Sequence, residues 1–165
     1  MPITPFHFGP AAIAHAVAPR HVSFLAFCAA NVLIDIEPLY YMLDHQFPLH
    51  RFFHTYVGAT GIWLATVILM LLLLKLSTWF RLPNPFNWQR LKPLPIIIGA
   101  ALGSYSHIVL DSVMHDDIRP FAPWSAANPL LGMISLNALH VGCVIAGAIG
   151  YILIEIRGTE VKRRR

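Results

Sequence analysis

Three long apolar stretches separate the polar positions of this chain. Residues 57–76 run without a charge until Lys75, residues 94–113 carry His107 and Asp111 near their end, and residues 130–156 form the third. Each exceeds the roughly 18 residues that mark a membrane-spanning helix. The first third is less regular. Residues 10–18 are apolar, Ala18-Pro19-Arg20-His21 interrupts them, residues 22–34 are apolar again, and Asp35-Ile36-Glu37-Pro38 breaks the pattern. At about 1.5 Å per residue, neither piece alone crosses a hydrocarbon layer of about 30 Å. Two arrangements follow: a hairpin of two short helices turning at Pro19-Arg20, or one span over residues 22–43 that carries two acids. The expectation is an all-α polytopic transmembrane helix bundle of four to five apolar helices, with the first two as a short hairpin.

Composition agrees with this pattern. Of 165 residues, 56% are hydrophobic and 12% charged, against about 25% charged in ordinary soluble domains. A soluble enzyme, a disordered tail and a coiled coil are thereby excluded. The length suits one integral-membrane domain, residues 1–165, whose last residues 157–165 are a basic tail. The net charge of +4 is dispersed or terminal, which speaks for membrane orientation and not for nucleic-acid binding. Lys75, Arg81, Arg90 and Lys92 flank the loop between the first two long stretches, and Arg157 and the terminal basic run follow the last. Both regions are expected on the cytoplasmic side, with His50 and Asp116 facing the opposite side. Trp79, Trp88, Trp124, Tyr40 and Tyr41 lie near span ends, where interfacial aromatics concentrate. The N-terminal residues lack a basic region, so no cleaved signal peptide is expected. Cys28 and Cys143 sit in apolar runs with no CxxC partner and read as small buried hydrophobes.

Nine histidines outnumber the eight acids. Ionisable residues inside membrane segments are costly and mark functional sites. His107, Asp111 and His115 are spaced four apart, so a helix places them on one face. His50 and His54 share a face just before the first long span, and both sets fall at the outer ends of their spans. Asp35 and Glu37 end the apolar run before Pro38, and a hairpin returns His7 to their side. Mixed imidazole and carboxylate donors suit a divalent metal, zinc first and manganese or iron next. Such an ion acidifies bound water toward neutrality. Arg51 and Arg119 lie on the same side and are candidates for holding an anionic substrate group. His21 and His45 read as ordinary rim residues, Asp116 and Asp117 as solvated loop acids, and His15 and His140 as interhelical hydrogen-bonding groups. The chain has no GxSxG elbow, phosphate-binding loop or dinucleotide fingerprint.

Four blocks resemble a known family, the bacterial inner-membrane proteins regarded as membrane-bound metal-dependent hydrolases. They are Thr4-Pro5-Phe6-His7-Phe8-Gly9-Pro10, Asn31-Val32-Leu33-Ile34-Asp35-Ile36-Glu37-Pro38, His50-Arg51-Phe52-Phe53-His54-Thr55 and Gly103-Ser104-Tyr105-Ser106-His107-Ile108-Val109-Leu110-Asp111. The family's second block ends in Pro-Asp-Ile-Asp, its third reads His-Arg-Gly-x-Thr-His-Ser and its fourth Gly-x-x-Ser-His-x-x-x-Asp. Here no proline precedes Asp35, and His50 and His54 stand one residue closer than the family's pair. The resemblance implies a metal site of His7, Asp35, His50, His54, His107 and Asp111, with Glu37 in place of the second acid and His115 as a further candidate. It also favours the hairpin.

The expected function is hydrolysis of a phosphoester or related bond in a small or lipid-like substrate. Metal-activated water would attack, and Asp35, Glu37 and Asp111 are the candidate catalytic carboxylates. The rival expectation is a non-catalytic metal or proton carrier, which needs polar residues continuing through the bundle. Bis-histidine haem ligation is disfavoured, because its histidines belong near mid-bilayer.

Overall fold

A computed structural model describes residues 5–163. Its five helices are α1 (Phe8–Val17), α2 (Phe24–Leu43), α3 (Tyr56–Trp79), α4 (Pro93–Met114) and α5 (Leu136–Arg163), with 3-10 turns at Pro5–His7 and Pro85–Arg90. No strand occurs among the described residues. Met1–Thr4, and with them the first residue of the N-terminal block, lie outside the described residues, as do Arg164 and Arg165 of the basic tail.

Local chemistry sets the helix starts. The Ser23 hydroxyl accepts from the Ala26 N–H at the head of α2, and the Thr55 hydroxyl accepts from Gly58 N–H at the head of α3. Both satisfy donors that a helix leaves unpaired at its first turn. Helix α4 opens on Pro93, whose missing N–H costs nothing there.

Four helices are long and apolar enough to cross a bilayer: Phe24–Leu43, Tyr56–Ser77, Pro93–Met114 and Leu136–Arg157. The chain is a multi-pass membrane protein. Their outward faces carry Leu64, Ile68, Leu72, Ile145, Ile149 and Ile152, all exposed, as lipid-facing residues are.

Both readings of the first third hold in part. The chain does turn back at Pro19-Arg20, and His15 Nδ1 lies 2.7 Å from the Val22 carbonyl oxygen across that turn. Yet only α1 is short, at 10 residues, whereas α2 is a full 20-residue span containing Asp35, Glu37 and Pro38. Proline inside a helix removes one backbone hydrogen bond, and membrane helices tolerate it where neighbours cover the freed carbonyl. Pro38 is buried among such neighbours.

Helices α2 and α4 run side by side in the same direction. The Ser23 N–H donates to the Pro95 carbonyl at their start. Further along, a Cβ on Gly99 would meet the Ser23 carbonyl oxygen at 2.4 Å, and one on Gly103 would meet that of Phe27 at 2.4 Å. Backbones this close require glycine, the small-xxx-small device of membrane helices. Helix α1 packs on α5 in the same way, since a Cβ on Gly150 would meet the Ala12 carbonyl carbon at 2.5 Å. Below the polar residues, Ala26, Ala30, Met70, Ile96 and Ala100 form a buried apolar cluster, with Trp63, Val67 and Leu71 packed against it.

Candidate metal centre

The α4 face that lies on α2 continues upward at four-residue steps from Gly99 and Gly103 to His107 and Asp111. Close backbone packing thus presses this imidazole and carboxylate toward α2, where Asp35 stands. The short α1 brings His7 to the same level from one side, and the loop entering α3 brings His54. All five residues are buried.

One ligand atom from each of Asp35, His54, His107 and Asp111 lies within 4.8 Å of the other three. His107 Nε2 is 3.4 Å from Asp35 Oδ1 and 3.2 Å from Asp111 Oδ2. His54 Nε2 is 3.9 Å and 3.6 Å from those same oxygens. Tetrahedral bonds of about 2.0–2.2 Å place ligand atoms roughly 3.3–3.6 Å apart. The four separations bracket that range. The Nε2 atoms of His54 and His107 are buried and make no hydrogen bond, a costly state that a shared cation relieves.

The opposite ring nitrogens explain why Nε2 points inward. His107 Nδ1 lies 3.0 Å from Asn31 Oδ1. The Asn31 amide is oriented by donating to the Phe27 carbonyl, so its oxygen faces the ring and accepts the Nδ1 proton. His54 Nδ1 lies 3.4 Å from Glu37 Oε2. Glu37 is itself held by the backbone N–H groups of Arg51 and Phe53. Each ring therefore carries its proton on Nδ1 and presents the Nε2 lone pair. This is the outer arrangement that metal-binding histidines use.

Of the other expected residues, His7 Nε2 stands 2.9 Å from Asp111 Oδ1. His50 Nδ1 stands 2.7 Å from Asp117 Oδ1, and the His50 ring packs 4.3 Å from that of His115. Burial first, and then the neighbouring His54, lower the His50 pKa to about 4, so this imidazole is neutral at physiological pH. Burial also lowers the pKa of His115. At His54 burial works downward, but the nearby carboxylates of Asp111 and Glu37 outweigh it and raise the pKa. Positive charge is thus favoured where the carboxylates converge.

Arg51 sits beside this region but is engaged elsewhere. Its Nε donates to the Pro48 carbonyl, its Nη2 to Gln46 Oε1, and its guanidinium lies 3.5 Å over the Tyr41 ring. Arg119 is exposed, with Nη1 3.4 Å from the Ala126 carbonyl oxygen. His21 and His45 are exposed. His140 stacks on Phe6 at 4.1 Å between ring centres.

Two participants escape a reading by sequence spacing. Asn31 precedes Asp35 by one helical turn, and its amide inside an apolar run is the signal that finds it. Asp117 is half-buried and not a solvated loop acid: its Oδ2 accepts from the N–H groups of Leu49 and His50. Burial raises the Asp117 pKa, but these hydrogen bonds outweigh it and lower the pKa below the ordinary aspartate value.

The orienting partners have a measurable consequence. If the cluster holds a divalent ion, replacing Asn31 by Leu or Glu37 by Gln should weaken its binding about 10–100-fold without abolishing it. A competition titration against a chromophoric chelator reads this out; unchanged affinity in both would contradict the orienting role.

No protein-family model matches the chain, and neither a curated protein nor a solved structure is significantly similar to it.

Proposed function

We propose that this chain is a membrane-embedded, metal-dependent hydrolase acting on a phosphoester or related bond of a small or lipid-like substrate. The observation that carries this reading is the convergence of two Nε2 atoms without hydrogen bonds on two buried carboxylates at tetrahedral spacing. A divalent ion there neutralises both carboxylates, which are otherwise expensive in a membrane. Zinc suits two imidazoles and two carboxylates, with manganese or iron as lesser fits. Such an ion supplies Lewis acidity to a water and to a phosphoryl or acyl oxygen. The chain's own residues hold and orient. Asn31 and Glu37 keep the Nδ1 protons of His107 and His54 in place. The basic residues favour a C-terminus on the cytoplasmic side, and the resemblance of the four sequence blocks favours the bacterial inner membrane.

The carrier reading is disfavoured by one feature. The buried apolar cluster of Ala26, Ala30, Met70, Ile96 and Ala100 lies beneath the site, where a carrier needs polar steps.

The test is hydrolysis of a chromogenic phosphodiester by purified protein in detergent. Activity should disappear with a chelator and return with added zinc, and the chelated protein should unfold at a lower temperature. Zinc or proton flux across protein-loaded liposomes without any hydrolysis would contradict the proposal and support a carrier.

A further inference from the structure

Asp111 faces a second pair of imidazoles. Ligand atoms of His50, Asp111 and His115 also lie within 4.8 Å of one another. The His50 and His115 rings are 4.3 Å apart between centres, tilted by 33°. His50 repeats the device found at His54 and His107. Asp117 Oδ1 lies 2.7 Å from its Nδ1, and the other carboxylate oxygen is fixed by the N–H groups of Leu49 and His50, at 3.0 and 3.1 Å. An aspartate held this way accepts a hydrogen bond from Nδ1–H, which keeps the proton on Nδ1 and the lone pair on Nε2.

We infer that His50, Asp111 and His115 hold a second divalent metal ion, joined to the first through Asp111. This rests on the metal centre proposed above and extends it. A carboxylate has two oxygens with about four lone-pair sites between them, so one aspartate can serve two ions. In two-metal hydrolytic sites the ions stand about 3.5–4 Å apart, a span that one bridging carboxylate covers.

The two sites differ in what they leave open. Four protein donors complete a tetrahedron at the first. The second has three, and three protein ligands with one vacant position is the pattern of catalytic zinc. His115 is also only half-buried, unlike the four donors of the first site. The second ion is therefore the one that takes a substrate oxygen. The substrate class narrows to phosphate esters, whose paired non-bridging oxygens can span two cations.

The test is zinc stoichiometry of the full chain in detergent, by titration and elemental analysis. Wild type should bind two zinc ions and His115→Ala one. Asp117→Asn should weaken only the weaker-binding ion, about tenfold or more. A wild type that saturates at one zinc, or a His115→Ala protein that still takes two, would overturn the inference. The wild type alone gives a check that needs no variant. Loaded with manganese, it should show the paramagnetic resonance spectrum of an exchange-coupled pair; an isolated-ion spectrum at saturation would overturn it. Failure of this inference alone leaves one ion that His107→Ala removes. Failure of the first metal centre as well leaves a protein that binds none.

Discussion

Asp111→Ala should weaken metal binding at both donor sets about 100-fold and lower metal-dependent hydrolysis with it. Four contacts converge on this carboxylate: His107 at 3.2 Å, His54 at 3.6 Å, His7 at 2.9 Å, and the His50–His115 pair through the second donor set. A structural zinc site is worth about 10–16 kcal/mol over its ligands, so losing one of four costs ~3 kcal/mol, roughly 100-fold in affinity. Asp111 belongs to both donor sets, so its loss should reach both ions, whereas His107→Ala should reach one. The variant should also be less stable, because three buried imidazoles lose their shared counter-charge. Breaking buried pairs of this kind typically costs about 3–5 kcal/mol. Zinc titration together with thermal unfolding in detergent checks both parts. A variant that retains wild-type zinc affinity would remove Asp111 from the centre.

Gly103→Ala should be nearly as damaging although position 103 touches no ligand. Its new Cβ would stand 2.4 Å from the Phe27 carbonyl oxygen and 3.0 Å from the Phe27 Cα. Both are backbone atoms of α2, so relief requires the helices to part by about 1 Å, to reach ordinary van der Waals separation. Asp35 rides on α2, whereas His107 and Asp111 ride on α4. Metal sites tolerate about 0.2 Å in ligand distance. The expected result is a lower unfolding temperature, at an overpacking cost of about 1–3 kcal/mol, and zinc affinity reduced at least tenfold. Gly142→Ala supplies the control, since its Cβ would meet nothing within 4 Å. In a helix interior that change should be neutral or slightly stabilising. Equal effects from the two substitutions would contradict the coupling of packing to the site.

These cases show which parts of the structure local spacing encodes. The apolar stretch at residues 94–113 is α4 within one residue at either end, because length and hydropathy are local properties. The step from His107 to Asp111 sets their shared face for the same reason. Extending that step backward reaches Gly103 and Gly99, so the helix contact and the ligand set lie along one row of the same helix. Helix α2 was harder, because Asp35, Glu37 and Pro38 look like an ending; their partners on α3, α4 and the intervening loop are distant in sequence. Asp117 was illegible for the same cause. Its partners Leu49 and His50 are 68 and 67 residues away, and nothing in its own loop distinguishes it from the exposed Asp116. The pairing of His50 with His115 likewise depends on two loops folding over one end of the bundle.

The account stands most directly on the metal content of protein purified from cells grown with ordinary trace metals, compared with His107→Ala prepared in parallel. It predicts at least one divalent ion per wild-type chain, with zinc foremost, and a reduced count in the variant at preserved helical content. Wild-type protein that carries no stoichiometric metal and takes up none on reconstitution would contradict it.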